Sequence, residues 1–409
     1  MANLAIAVND RGRSAAPVAR EGPSRLERAL RARLSAGSPL PPGERALVVF
    51  DAGEEAWTAV LDGSRMGLAR GRAPSATSTI LAGADMLAAV AEGTQSGVDA
   101  FLGGRLRIRG NMALALKLDG FDHPAKPIRL PRARTARPLG IDTFYLEAGR
   151  GPAVVLLHGL GATNASMLPT LADLSHDHRV LAPDLPGFGD SGKPVRAYHA
   201  AFFARWLAAL LDAVGIPRAH VIGNSMGGRA AIEVGLRTPE RVDRLVLLAP
   251  SMAFRRLRLF TPIVRLLAAE MGALPMVVPR GYVLTVLKSV FARAGRVPDP
   301  WHESAIDEFR RVFATRRGRI AMFSAAREIY LEEAYGARGF WERLPRLARP
   351  ALFIWGERDR LVPVKFARHV EAALPHARSI VLEDCGHVPQ FEHPVRTHAL
   401  IREFLGAPR

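Results

Sequence analysis

The sequence predicts an α/β fold, a mostly parallel sheet flanked by helices, preceded by a small α+β domain. Three observations carry this. From residue 139 onward, short apolar runs alternate with helix-spaced stripes, the pattern of parallel strands joined by crossover helices. Several of the runs end in glycine-rich loops, where such sheets place their active sites. Between the two halves, "FDHPAKPIRLPRARTARPLG" is basic, rich in proline and without apolar periodicity, which reads as a linker over 121–138. The expected organisation is a flexible tail over 1–24, a first domain over 25–120, the linker, and a second domain over 139–409 with an insert at 253–346.

Composition narrows the classes. About half of the 409 residues are hydrophobic (48%), which suits globular domains with proper cores. Cys385 is the single cysteine, so no disulfide forms within the chain and a reducing, cytoplasmic setting is expected. "MANLAIAVNDRGRSAAP" lacks the basic start and apolar length of a signal peptide. The most apolar stretch, "GALPMVVPRGYVLTVLKSVF", is interrupted by two prolines, Arg280 and Lys288. The net charge of +17, from 56 basic and 39 acidic residues, is accompanied by no zinc spacing, recognition helix or RNA-binding aromatic signature. Nucleic acid is therefore not an expected partner.

In the first domain, "SRLERALRARL" reads as an amphipathic helix. "RALVVFDA", "AWTAVLDG" and "RMGLARG" read as strands, and "ATSTILAGADMLAAVAEG" as a helix. No Ser/His/Asp set, metal-ligand cluster or phosphate loop occurs there, so chemistry is expected elsewhere.

In the second domain the order begins with the strands "AVVLLHGLG" and "RVLAPDLPGFGDSG". The helix "AFFARWLAALLDAVGI" follows, its stripe of Phe203, Trp206, Leu207, Leu210, Leu211 and Val214 meant for a sheet. Then come "AHVIGNSMGG", "RLVLLAP", the insert, "PALFIWGERD", "SIVLED" and the closing helix "VRTHALIREFLG". The insert carries 17 basic and 9 acidic residues. Thr261 and Pro262 read as a helix start, and Phe260, Ile263, Val264, Leu267, Met271 and Leu274 as an apolar stripe. That stripe could cover a site or rest peripherally on a membrane surface.

Gly-Asn-Ser-Met-Gly, at the end of a strand and the start of a helix, is the setting in which Gly223 and Gly227 permit a tight elbow that projects Ser225. A serine hydroxyl needs a base, and the base an orienting acid. Asp359 follows one strand and His387 lies after the last, giving the order Ser, Asp, His. Asp384 and Glu383 stand beside His387 in the same loop. Asp184, Asp190 and Ser191 read as loop-forming residues, and His393 as an anchor of the last helix. The backbone amides of Leu160 and Met226 are the expected oxyanion hole, with His158 and Gly159 shaping the first loop.

With "VVLLHGLG", "DLPGFGDSGKP", "GNSMGG", "WGERDRLVP" and "CGHVPQFEHP" in this order, residues from about 139 to 409 resemble the α/β-hydrolase superfamily. The resemblance implies a serine esterase or lipase without cofactor or metal, and makes 253–346 the helical cap over the site. "STILAGADMLAAVAEG" and "GRLRIRGNMALALKL" make the first domain similar to the sterol-carrier-protein lipid-transfer family, which implies a lipid ligand for residues 25–120. The expected function is hydrolysis of a lipophilic carboxylic ester of acyl-glycerol or fatty-acyl type. The alternatives are a carbon–carbon bond hydrolase of ring-fission products, which "GNSMGG" and "CGHVPQFEHP" also resemble, and a non-catalytic lipid-binding scaffold.

Overall fold

A computed structural model describes residues 22–35, 44–62, 65–119, 131–254, 269–293 and 299–406. Among them two sheets form, each beneath its own helices.

The first domain opens with α1 (Arg25–Leu34), whose first turn is capped by Ser24 Oγ accepting from Glu27 N at 3.0 Å. Strands β1 (Arg45–Asp51), β2 (Ala56–Asp62) and β3 (Arg65–Arg70) form an antiparallel meander. β4 (Ser78–Leu81) then joins β1 in parallel. This corrects the sequence reading, which ran one helix through the whole of "ATSTILAGADMLAAVAEG". Ser-Thr-Ile-Leu suits a pleated surface, and Gly83 breaks the segment before α2 (Ala84–Glu92) begins. After α3 (Gly97–Leu102) comes β5 (Arg107–Gly110), giving the order β3-β2-β1-β4-β5, and then α4 (Met112–Asp119).

The second sheet starts earlier than the sequence indicates. β6 (Arg132–Ala136) lies inside the expected linker, yet pairs antiparallel with β7 (Thr143–Ala148). "RARTA" is polar on both sides because it is an edge strand, the place where charged side chains discourage further pairing. Residue 120, residues 121–130 of the linker, the tail up to residue 21 and residues 407–409 lie outside the described residues. β8 (Ala153–Leu157), α5 (Leu168–Leu174), β9 (Arg179–Pro183), α6 (Ala200–Ala213), β10 (Ala219–Asn224), α7 (Met226–Arg237) and β11 (Val242–Leu248) follow. On α6, the stripe from Phe203 to Leu211 is buried as its spacing requires, and Val214 just beyond it packs at the margin.

The insert contributes α8 (Arg280–Val290), α9 (Asp299–Ala314), α10 (Arg316–Leu331) and α11 (Phe340–Arg343). Phe260, Thr261, Pro262, Ile263, Val264 and Leu267 fall outside the described residues. The described end of that stripe, Met271 and Leu274, is exposed (42% and 58%), so it covers no core. The chain returns through β12 (Ala351–Gly356), α12 (Lys365–Ala373), β13 (Arg378–Leu382), α13 (Pro389–Glu392) and α14 (Pro394–Gly406). The sheet order is β13-β12-β11-β10-β8-β9-β7-β6, with β8 to β13 mutually parallel and β7 antiparallel to both its neighbours, β9 and β6. No helix among the described residues is long and apolar enough to cross a membrane.

The domains are not merely tethered. Buried residues of the first domain, such as Phe101 and Met112, join those of the second in one continuous apolar cluster.

Candidate active site

β10 is buried at every position from Ala219 to Asn224 and delivers the chain to Ser225. There the backbone takes φ 53° and ψ −117°, and α7 starts at the next residue. The turn leaves no room for side chains. A Cβ on Gly223 would fall on the Gly227 carbonyl, and one on Gly227 on the Leu157 carbonyl at the end of β8. A Cβ on Gly228 would come within 2.7 Å of Pro250.

His387 lies in the loop between β13 and α13, and Asp359 just past β12. Although 28 positions apart, His387 Nδ1 and Asp359 Oδ2 stand 2.7 Å from one another, both side chains buried. Asp359 Oδ1 accepts the backbone N–H groups of Leu361 (2.8 Å) and Val362 (2.9 Å), which hold the carboxylate in place. An imidazole that donates Nδ1–H to a carboxylate keeps Nε2 as its basic nitrogen. The backbone of His387 donates to Val290 O of α8 at 2.8 Å, so the histidine loop is anchored to the insert.

Asn224 was not singled out in the sequence. Its Nδ2 donates to Leu248 O (3.0 Å) and to His387 O (3.1 Å), joining the strand that carries Ser225 to the loop that carries His387. A buried amide beside a strand-end serine must find partners, and that was the available signal.

The other candidates stand elsewhere. Asp384 pairs with Arg358 (2.7 Å) and Arg293 (3.0 Å), and Glu383 is exposed. The His393 ring faces Asp384 O at 3.2 Å. Asp184 is buried, accepting from Asn164 N and Asp190 N at 2.8 Å each. Burial, then the nearby Asp190 carboxylate, pushes its pKa up to about 7. Ser191 Oγ donates to Asp184 O at 2.7 Å. These residues brace the loop after β9.

His158 is fully buried, with Nδ1 2.8 Å from Gly159 O and Nε2 accepting from Leu185 N at 2.9 Å. Burial lowers its pKa to about 4, so it stays neutral and ties the loop after β8 to the loop after β9. A Cβ on Gly159 would stand 3.3 Å from Ser225 Cβ, so this loop passes directly over the serine. Leu160 follows it into the pocket. Met226 is the first residue of α7, and a first-turn N–H has no partner within its own helix.

Ser225, His387 and Leu160 open into one cavity of about 640 Å³, the size of a small-ligand site. The insert builds much of its wall: Val283 and Leu287 from α8, Phe309 from α9, Met322 and Ile329 from α10. His302, Glu308, Tyr330 and Arg360 add polar groups. A second cavity, of about 50 Å³, lies within the first domain between α1, α2 and the sheet. Its lining is apolar apart from Arg33, whose guanidinium donates to Leu118 O.

Residues 154–400 match the model of the alpha/beta hydrolase family, and residues 43–121 match the SCP-2 sterol transfer family. An uncharacterized protein of Mycobacterium tuberculosis is 27% identical, over 69% of this chain and 83% of that protein. A 2-hydroxy-6-oxononadienedioate/2-hydroxy-6-oxononatrienedioate hydrolase of Burkholderia vietnamiensis is 32% identical, over 64% of this chain and 90% of that enzyme. Among solved structures, a membrane phospholipase A described as a bacterial virulence factor superposes with a TM-score of 0.55 at 29% identity, covering 67% of this chain and 86% of that one.

Proposed function

The chain belongs to the alpha/beta hydrolase family, with an SCP2 domain ahead of the hydrolase domain, and on that premise we propose that it is a serine hydrolase of a lipophilic carboxylic ester. The observation that carries the reading is that the strained Ser225 and His387, the latter 2.7 Å from Asp359, open together into a large and mainly apolar cavity.

Ser225 Oγ attacks the ester carbonyl while His387 Nε2 takes its proton. Asp359 holds the ring and stabilises the imidazolium. The oxyanion of the tetrahedral intermediate is met by the amides of Leu160 and Met226, fixed in place before the charge appears. His387 returns the proton to the departing alcohol, leaving an acyl-Ser225. Water, deprotonated by His387, then releases the acid and restores the serine. Asn224 is a positioning residue, keeping the His387 loop in register with β10.

The Burkholderia relative supports a second reading, cleavage of a carbon–carbon bond in a ring-fission product by the same three residues. His387 would then protonate a carbon leaving group. One experiment separates the two: steady-state rates on p-nitrophenyl esters of rising chain length beside a vinylogous diketone, with fluorophosphonate labelling of Ser225. Efficient ester turnover with no diketone cleavage is expected. Diketone cleavage with negligible ester turnover would overturn the ester reading.

A further inference from the structure

The cavity that holds Ser225 and His387 is not built by the hydrolase domain alone. Met112, the first residue of α4, belongs to the first domain and lines it. Its placement is fixed by a polar seam between β5, the start of α4 and the insert helix α9. Met112 N donates to Glu308 Oε1 at 2.6 Å, and Ser304 Oγ donates to Ile108 O at 2.6 Å. Asp307 Oδ2 accepts from Arg109 Nε at 2.7 Å and from Gly110 N at 3.1 Å. Glu308 and Ser304 are buried, so these bonds are poorly screened by water.

One helical turn beyond Met112, Ala115 faces the small cavity of the first domain. Phe101 lines that same cavity and packs on Trp301, which lines the large one, with ring centroids 4.6 Å apart. α4 thus contributes to both cavities: Met112 lines the one of about 640 Å³ and Ala115 the one of about 50 Å³.

We propose that the first domain is the end wall of the hydrolase pocket and that Met112 is the residue that sets the length of chain the pocket accepts. This rests on the ester reading above and deepens it. A chain held at Ser225 gains burial with every methylene until it reaches Met112; beyond that it must displace the side chain or bend. An unbranched thioether suits that position, because it fills space yet yields. Shortening it should join part of the small cavity to the large one.

The test uses the full-length protein and measures, for p-nitrophenyl esters from two to sixteen carbons, the ratio of kcat/KM on each ester to that on the acetate. Wild type should rise with length and then level off. Met112→Ala should move the levelling point to chains longer by about two to three carbons, with roughly fourfold gained per further methylene buried. Met112→Trp should move it to shorter chains, and Met112→Leu should leave it near wild type. The same series of alkyl fluorophosphonates, followed as the rate of labelling at Ser225, should shift in parallel. An unshifted levelling point in Met112→Ala, with the acetate still hydrolysed, would overturn the end-wall role while the ester reading stands. If wild type neither turns over any ester nor reacts with the shortest fluorophosphonate, the ester reading falls and the end-wall role with it.

Discussion

Met112 and Ala115 of α4 line two different cavities, and the walls of the two differ in kind. The first-domain cavity is small, enclosed by side chains that are almost entirely buried, and its one charged group is committed to a backbone carbonyl. The hydrolase cavity is more than ten times larger and is lined by the strained Ser225 and by His387, whose ring is paired with Asp359. The first is close to a packed core with a flaw in it, while the second is a space kept open beside strand ends. Apolar lining alone therefore does not mark a working site. Volume joined to convergent polar groups does.

The largest effect that would sharpen this contrast is on chemistry. Ser225→Ala should lower hydrolysis on the order of a thousandfold or more, and Asp359→Asn should also lower it steeply by favouring the wrong tautomer of His387. Asp384→Asn, whose carboxylate pairs with Arg358 and Arg293 away from Ser225, should change kcat/KM little. Steady-state kinetics on a short ester decide it. Full activity in Ser225→Ala would remove the chemistry from the large cavity.

A middle-sized effect concerns stability. Phe101, with no exposure, should cost about 3–5 kcal/mol when cut to alanine, because it leaves a void where there is little to collapse. Val286, at 46% exposure on the wall of the large cavity, should cost under about 1 kcal/mol when cut to alanine, and should raise KM for long esters instead. Urea unfolding of both variants compares them. Equal losses would mean that the two cavities are packed alike.

The smallest effect is on pH. Folded His158 titrates near 4 and the unfolded residue near 6.5, so between those values the unfolded chain binds more protons. The stability that neutral His158 provides is complete above pH 6.5 and is lost as pH falls toward 4, at most about 3 kcal/mol. The stability difference between wild type and His158→Gln should therefore shrink from pH 7 to pH 4. A constant difference across that range, by thermal unfolding, would show that His158 titrates normally in the fold.

What could be read in advance follows from what each element must bury. Parallel strands buried on both faces are continuous apolar runs, so "AHVIGNSMGG" and "PALFIWGERD" were legible as strands, and the turns that end them as the places of Ser225 and Asp359. β6 did not, because an edge strand buries little and can be as polar as a linker. β4 was hidden inside a helix-like stretch until Gly83 was weighed as a break. The seam on α9 had no local signature at all: Ile108 and Ser304 lie 196 positions apart, and nothing in either neighbourhood encodes the other. Asn224 stood between Gly223 and Ser225 with no role assigned to it.

The backbone of Ser225 has a consequence for how such a sequence drifts. At φ 53° a Cβ costs on the order of 1–3 kcal/mol, which glycine would not incur. Glycine would return about 0.4–1 kcal/mol of that through the freer unfolded chain. A population of variants ranked by melting temperature alone would thus favour Ser225→Gly, the very change that deletes the nucleophile. Selection for thermal endurance and selection for turnover pull this codon in opposite directions.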